Sequence, residues 1–289
     1  SMNFKKRITV LLFFIAGFGV TWAQDDLLKE LDSVNSGKKE IEMAAFKGLQ
    51  ICNMQSTKLA VKNEWYFVVS HRFGDLTQGI NNFFGLDNAL TKIGGIYGFT
   101  DWLNVGVSRH TYNKNYELAL KYKFANQEVE GFPFTIVGYN TLDINTKLTT
   151  DEYPMLKGAQ RLSYSSQLLI SRKFSESFSF EVNPIYVHKN LYDKLLENKD
   201  EFLVAAGGRY KISKRMSINV EYAARLNAKD QDYYHNPLSA GFDIETGGHI
   251  FQLVFSNSQP MNDVAYFSNT TGKWNGGPFY FGFNMYRVF

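Results

Sequence analysis

The sequence has few of the features that mark several common protein classes. It contains 289 residues but a single cysteine, Cys52, which excludes an internal disulfide framework and a multi-cysteine metal site. No apolar run approaches the length of a membrane-spanning helix, so a polytopic helical membrane protein is excluded. The formal net charge of +3 is too small to indicate nucleic-acid binding without a clustered basic face.

Aromatic residues, in contrast, are abundant. They make up 16% of the chain, although the mean hydropathy of −0.27 is that of a polar protein. Such aromatic content argues against a disordered chain. The length allows either one large all-β or barrel domain or two ordinary domains.

The first residues predict export. Ser1 precedes the initiator methionine and is interpreted as a cloning remnant. A basic segment at 5–7 and an uncharged apolar segment at 8–20 predict a signal peptide covering 1–23, cleaved after Ala23. The apolar segment is too short to span a membrane, and Gln24 at the new N-terminus does not indicate a lipoprotein. Because residues 1–23 contain three basic and no acidic residues, cleavage leaves the mature chain formally neutral.

The mature chain divides into two predicted regions. Residues 24–57 are predicted to form a periplasmic segment that begins with a short amphipathic helix at 25–35. Within this segment, residues 36–57 are compatible with a linker, an extra strand or a small plug inside a lumen. From residue 58 to 289 the pattern changes to alternating apolar and polar residues, which predicts strands.

The alternation predicts twelve strands, an even number that fits a bacterial outer-membrane barrel. The predicted strands are 58–73, 91–99, 102–110, 116–125, 133–146, 160–174, 177–188, 201–212, 215–226, 237–245, 249–258 and 278–289.

The connections favour a membrane barrel over a soluble β protein. Odd-numbered connections are mostly long and even-numbered ones mostly tight, as expected when surface loops and periplasmic turns alternate. Alternation alone does not distinguish a membrane barrel from a soluble barrel, because a soluble barrel shows the same alternation with its apolar face inward and its polar face outward. Aromatic residues near the strand ends, such as Trp65, Phe99, Phe174 and Tyr210, predict interfacial girdles. We therefore predict a closed, antiparallel transmembrane β-barrel of about twelve strands.

The chain ends in an aromatic strand, 279–289, with Phe289 last. This ending resembles the signal that the barrel-assembly machinery of didermic bacteria recognises, so Phe289 is the predicted assembly signal. Arg287 departs from that signal because an aromatic residue is usual at its position.

Several runs of residues resemble a known family. They are Ser70-His71-Arg72-Phe73-Gly74, Asn82-Phe83-Phe84-Gly85-Leu86-Asp87, Ser171-Arg172-Lys173-Phe174-Ser175-Glu176, Gly207-Gly208-Arg209-Tyr210-Lys211 and the longer, more specific run at 236–249. Together they resemble an uncharacterised family of bacterial outer-membrane β-barrel proteins over about 30–289. The resemblance implies a β-barrel in the outer membrane and no activity.

The histidines offer weak candidates for catalysis. Ser70 and His71 are strand neighbours and therefore point to opposite faces, so they cannot form a nucleophile and base. His110 shares a face with Ser108 and Asn104, but this is the predicted lumen face and not the lipid face that an outer-membrane lipase uses. We predict no catalytic residue.

One further cluster is a weak candidate for metal binding. Asp243, Glu245 and His249 are close in sequence, but the two acids are predicted to face inward and the histidine outward. No glycine-rich nucleotide motif precedes a helix. We therefore predict no metal and no cofactor.

The predicted lumen face carries charges of both signs, with an excess of basic residues. The predicted lumen-facing residues are Lys62, Glu64, Arg72, Lys92, Glu117, Lys121, Lys123, Arg161, Lys173, Glu181, Arg209, Lys211, Glu221, Arg225, Asp243 and Glu245. Pairs such as Arg209 with Glu221 and Arg225 with Asp243 are predicted across neighbouring strands. If the charges fill the bore, the barrel is closed or plugged and works as a scaffold; if they line water, it is a narrow pore that mildly favours anions.

These observations predict an outer-membrane β-barrel, most simply a narrow small-solute channel or transport-associated barrel. The alternative is a structural or accessory subunit of an envelope complex, and a minor alternative is a lipid-modifying enzyme. The expected partners are outer-membrane lipid, the barrel-assembly machinery during biogenesis and an envelope protein. No nucleic-acid partner is expected.

Overall fold

The computed structural model describes residues 41–230, 232–247 and 249–289. The predicted signal peptide and the predicted helix at 25–35 lie outside the described residues. The described chain forms one closed, antiparallel barrel in which the first strand pairs with the last. The strands are β1 (Trp65–Arg72), β2 (Leu90–Thr100), β3 (Leu103–His110), β4 (Asn115–Ala125), β5 (Thr135–Asn145), β6 (Leu162–Lys173), β7 (Phe178–Lys189), β8 (Asp200–Lys211), β9 (Met216–Arg225), β10 (Leu238–Thr246), β11 (His249–Ser256) and β12 (Tyr280–Val288).

The strands form because their sequences alternate with the two-residue period of a pleated sheet. In β9, Met216, Ile218 and Val220 are exposed on the outer wall, while Ser217 and Asn219 between them are buried. The same alternation in β8 and β10 matches the faces predicted for these segments. The apolar wall therefore faces outward and the polar wall faces a lumen.

The predicted count of twelve strands is confirmed, but some boundaries were wrong. The predicted strand 58–73 begins only at Trp65, so Lys62 and Glu64 precede the wall, and Lys62 is exposed. The chain turns at Asn63, which has φ 69°, and this turn ends the extended pattern. The predicted strand 160–174 begins at Leu162, because Gly158–Arg161 forms a 3-10 turn, so Arg161 also lies off the wall.

The two ends of the barrel differ in the length of their connections. The short-turn end has the links 101–102, 126–134, 174–177, 212–215 and 247–248, and the long-loop end has the links 73–89, 111–114, 146–161, 190–199, 226–237 and 257–279. Only 111–114 and 126–134 depart from the predicted alternation. In the described part of the chain, no helix is long and apolar enough to cross a membrane.

Two segments fill the lumen. We call residues 41–64, which enter at the short-turn end, the plug, and residues 257–279, which enter from the long-loop end, the inserted loop. The inserted loop contains the helix α1 (Asp263–Ser268), in which every residue is buried. Of the three possibilities for 36–57, the described residues form a plug. Residues 45–57 of the predicted periplasmic segment are enclosed by the barrel.

The lumen has an apolar side formed by β7, β8 and β9. Here inward-facing apolar residues of the wall pack against the plug and the inserted loop. This cluster consists of Ala45, Phe46, Ile51, Met54, Ile185, Val187, Leu203, Ala205, Ala223, Val264, Tyr266 and Phe267. Burial of each large side chain contributes about 1.5–3 kcal/mol, so the cluster anchors both lumen segments to one side of the barrel.

Candidate functional site

The plug ends in a tight hairpin at the centre of the lumen, held by one carboxylate. The backbone N–H groups of Cys52, Asn53 and Met54 donate to the carboxylate oxygens of Glu221 at 2.8, 2.8 and 3.0 Å. The hydroxyl of Tyr266 in α1 donates to the same carboxylate at 2.7 Å. Glu221, which is 1% exposed, is thus the point where the plug and the inserted loop meet.

A lysine holds the plug from the opposite wall. The Nζ of Lys121 donates to the backbone oxygens of Leu49, Ser56 and Lys58 at 3.2, 2.9 and 3.1 Å. An ammonium group has three donors and no acceptor, and here all three donors are satisfied by the plug backbone.

Two further wall residues bind the plug backbone beyond its hairpin. The side chain of Asn104 accepts from the N–H of Ala60 at 2.7 Å and donates to its oxygen at 2.9 Å. The carboxylate of Glu181 accepts from the N–H of Thr57 at 3.0 Å. These polar contacts add to two smaller apolar clusters, in which Leu49, Leu59 and Ala60 of the plug are buried with residues of the wall.

The strands that close the barrel also bind the plug. From β1, Arg72 donates to Oδ1 of Asn53 at 2.8 Å. From β12, Asn284 donates to the backbone oxygen of Cys52 at 2.7 Å. A second residue of β12, Tyr286, donates to Oε1 of Gln50 at 2.5 Å.

The helix α1 places a carboxylate among wall charges. Asp263 accepts a hydrogen bond from the side chain of Gln167, and its N–H lies 3.4 Å from the Glu117 carboxylate. Burial, together with the nearby Glu117 carboxylate, raises the pKa of Asp263 to about 7, although Lys92, the hydrogen bond from Gln167 and Lys121 oppose this shift.

This shift makes the stability of the barrel depend on pH. The pKa of the Asp263 carboxyl is raised in the folded state, so stability is greatest below the unfolded pKa of about 4 and falls as pH rises toward 7. D263N keeps an acceptor for Gln167 and removes the charge. We expect it to abolish this part of the pH dependence, and to be more stable than the wild type above pH 7 by a few kcal/mol, on the order of 2–4. Urea unfolding in detergent between about pH 4 and 8 measures the difference; parallel curves for the two proteins would contradict it.

The predicted cross-strand ion pairs are replaced by others. Arg209 pairs with Glu245 at 3.0 Å instead of Glu221. Arg225 pairs with Glu201 at 2.7 Å instead of Asp243. Glu221 is bound by the plug, and Asp243 accepts from Gln252 and Ser217, so neither carboxylate is free for the predicted partner.

A buried ion-pair network, not predicted from the sequence, closes the long-loop end. Lys189 pairs with both Glu197 and Glu201 at 2.8 Å, and Glu201 also binds Arg225. The side chain of Asn269 in the inserted loop donates to Glu197 at 2.5 Å, which ties that loop to the network. Glu197 lies in a loop, but Lys189 and Glu201 follow ordinary strand parity. Glu201 shares a face with Leu203 in the predicted strand 201–212, and Lys189 lies one residue beyond the predicted strand 177–188, so the parity of the strands could have found both.

The remaining predicted lumen residues lie near the two ends. Lys92 pairs with Glu117 at 3.1 Å, and Lys173 pairs with Glu42 of the plug at 2.7 Å. Lys211 is half-buried in the last position of β8. Lys123, also half-buried, lines a cavity at the short-turn end.

Three cavities lie along the polar wall formed by β2 to β6. One of about 230 Å³ at the short-turn end is bordered by Thr57, Asp101 and Lys123. A central one of about 40 Å³ lies between the plug and the inner face of β2 to β4. A third, of about 190 Å³ at the long-loop end, is bordered by Asp143 and Arg161. The central cavity has room for roughly three waters, and it is the smallest of the three in volume.

Neither of the two serine–histidine pairs considered from the sequence has the geometry of a catalytic triad. Ser70 is buried in the lumen, whereas His71 stacks on Phe283 of the outer wall with ring centroids 5.5 Å apart. Ser108 does contact Nε2 of His110 at 2.9 Å, but Glu117 lies on the same side, 3.7 Å from Nε2, and His110 Nδ1 has no hydrogen-bond partner, so no acid orients the ring from the side opposite the serine. Among the described residues, no group of three or more histidines, cysteines and acids is placed to hold a metal ion.

The barrel and its outward apolar face define a membrane-bound β-barrel protein. The chain belongs to a family described as a membrane-bound β-barrel domain (DUF5777), which matches residues 46–289. No curated protein matches the chain.

Solved structures of outer-membrane proteins share the architecture. The NanC porin is 7% identical, with a TM-score of 0.50 over 76% of this chain and 98% of that chain. The KdgM porin is 9% identical, with a TM-score of 0.48 over 78% and 99% of the two chains. The Acinetobacter baumannii outer membrane protein Omp33 is 10% identical, with a TM-score of 0.42 over 80% and 100%. Of these three, the similarity to NanC supports a common fold, a porin-like barrel.

Proposed function

We propose that this protein is an outer-membrane channel for small solutes, closed in the described state by the plug and the inserted loop. The observation that carries the proposal is the polar attachment of the plug tip to Glu221, Lys121 and Asn104. The proposal names no particular solute.

The chemistry of the attachment supports a reversible closure. Water can replace a hydrogen-bond partner, so even a bond to a charged group such as Glu221 or Lys121 contributes a net of only about 1.5–3 kcal/mol. A wall of exposed polar groups also remains compatible with water after the plug moves. The three cavities along β2 to β6 mark the side on which a conducting path would widen.

A disulfide between the plug and the wall tests this proposal. A Cβ on Gly241 of β10 would lie 2.8 Å from the sulfur of Cys52. This is close to the distance between the Cβ of one cysteine and the sulfur of the other in a disulfide bond. We expect the wild type to give stepwise conductance in planar bilayers, oxidised G241C to be silent, and reduction to restore conductance. G247C, at an exposed turn position with no neighbour within 4 Å, is the matched control.

Two outcomes of this experiment contradict the proposal. A wild type that is silent at all voltages is not a channel. Equal conductance of oxidised and reduced G241C means that the plug does not control the path.

The second candidate is a structural or accessory subunit of an envelope complex. It is favoured by the apolar cluster, in which Phe46 and Met54 of the plug pack against Leu203 of the wall. Such packing suits a permanently filled barrel. Co-purification of an envelope protein after gentle detergent extraction, together with silent bilayers, would favour this candidate.

We further propose an outer-membrane location, reached through cleavage of a signal peptide at 1–23, with outer-membrane lipid around the barrel. The short-turn end would then face the periplasm. The porin-like fold and the membrane-bound family support this address. Recovery of the protein only in the soluble periplasmic fraction would contradict it.

We also propose that Phe289 is read by the barrel-assembly machinery. Its backbone pairs with Trp65 at 2.9 Å, whereas its side chain is exposed. F289A therefore keeps the barrel seam and removes the exposed ring. We expect several-fold less assembled barrel in cells and unchanged folding into detergent in vitro, both measured by heat-modifiable gel mobility. Loss of folding in vitro would indicate a structural role instead.

A further inference from the structure

The loop between β1 and β2 has an uncharged central segment. Residues 76–86, which lie between Asp75 and Asp87, contain no charged side chain, whereas the loops 146–161 and 190–199 each contain several. Four large apolar side chains of this segment are exposed, Ile80, Phe83, Phe84 and Leu86, and their exposed fractions range from 48% to 67%. Several large exposed apolar side chains within one short segment indicate an interaction site.

Hydrogen bonds fix this loop in shape. Buried Asn82 donates to the backbone oxygen of Asp75 and accepts from the N–H of Gly85, each at 2.8 Å. The backbone of Phe83 and Phe84 is left-handed, with φ of 49° and 55°, a conformation that disfavours bulky residues. The loop thus presents its aromatic rings outward from a rigid frame.

The loop continues the apolar outer wall of the barrel. Phe73, the first residue after β1, stacks on Phe281 of β12 at 5.8 Å, and Phe281 contacts Phe255 of β11 at 5.0 Å. The next residue, Gly74, donates its N–H to the oxygen of Gly85 at 2.6 Å. The segment that carries the exposed aromatic residues is therefore joined to the barrel at the end of the aromatic row on the outer wall.

We infer that residues 76–86 form a membrane anchor that dips into the lipid interface on the long-loop side of the barrel. Aromatic rings favour the boundary between headgroups and acyl chains, and an uncharged segment enters this layer without desolvating a charge. The inference rests on the membrane-bound class of the barrel and does not depend on channel activity.

Environment-sensitive labels test this inference in the intact protein. Cys52 is fully buried, so a thiol-reactive fluorophore labels introduced cysteines selectively. F84C and I80C place the label on the proposed anchor, and M155C is the matched control because Met155 is an exposed apolar residue in a charged loop at the same end. The unlabelled wild type controls for background.

The labelled proteins are reconstituted into phosphatidylcholine vesicles with and without brominated phosphatidylcholine. We expect blue-shifted emission from F84C and I80C, with bromolipid quenching at least about twofold stronger than for M155C. Iodide in the aqueous phase should quench M155C more strongly. If all three labels are quenched equally by iodide, the anchor is disproved. If the blue shift of F84C requires high protein density and is accompanied by cross-linking between copies, the loop contacts a second barrel, and the inference is equally overturned.

Discussion

E221Q is expected to release the plug tip and make Cys52 reactive. In the wild type the thiol is inert because it is fully buried and because burial, together with Glu221 and Asp243, raises its pKa. Glutamine has the size of glutamate but offers one acceptor oxygen to three backbone N–H groups, and its amide donors face those N–H groups. Losing these charge-assisted bonds costs about 2–4 kcal/mol, so the rate of reaction with a thiol reagent should rise by about 10²-fold.

Two variants separate plug release from a simple electrostatic effect on the thiol. N104A removes both hydrogen bonds to Ala60 and leaves Glu221 in place, so a higher reactivity in N104A reports movement of the plug. E176Q changes an exposed glutamate in the turn 174–177 and should react like the wild type. If E221Q reacts as slowly as E176Q, Glu221 does not hold the plug.

E201A is expected to destabilise the barrel more than any other single change considered. Glu201 is fully buried and binds Lys189 at 2.8 Å and Arg225 at 2.7 Å. Its removal leaves the Arg225 guanidinium buried with no carboxylate partner, because its other hydrogen bond is to the backbone oxygen of Tyr234. Removing one partner of a buried ion pair costs about 3–5 kcal/mol, which urea unfolding in detergent micelles would measure.

The double variant E201L/R225L tests the cause of this loss. It removes the unpaired charge, and Lys189 keeps Glu197 as a partner. Well-packed apolar residues often replace a buried ion pair without loss of stability. We therefore expect the double variant to recover most of the stability that E201A loses. A double variant as unstable as E201A would assign the effect to lost volume instead of charge.

The fold could be predicted because strand alternation is a local property of the sequence. The inward residues of β8, β9 and β10 follow directly from the period of two. The start of β1 could not be predicted, because residues 58–64 have the same alternating pattern as the strand. They belong to the plug, and the chain turns at Asn63 before it enters the wall at Trp65.

The partners of the lumen charges could not be predicted, because they depend on strand register and on segments distant in sequence. Arg225 lies opposite Leu203 of β8, whereas Asp243 lies opposite Ser217, far along β9 from Arg225. Glu221 does lie within reach of Arg209, but its actual partners are backbone N–H groups as far as 169 residues away. Backbone groups are present in every residue, so no side-chain pattern marks them.

The inserted loop was hidden for a related reason. Long links are expected to run over the surface, where their polar backbone groups meet water. In 257–279 the helix α1 and its flanking residues instead satisfy these groups inside the barrel, as when the Tyr266 hydroxyl reaches Glu221. The short helical stretch Asp263–Ser268 is too brief to stand out as a periodic pattern.

The position of the plug tip affects how the barrel closes between its first and last strands. Arg72 comes from the first strand and Asn284 and Tyr286 from the last, and all three donate hydrogen bonds to residues 50–53 of the same hairpin. The hairpin therefore links β1 and β12, the two strands that pair to close the barrel. Because these bonds need both strands in place, docking of the hairpin and closure of the barrel reinforce each other during assembly. If the hairpin is released, we expect the pairing of β1 with β12 to weaken before the other strand pairs.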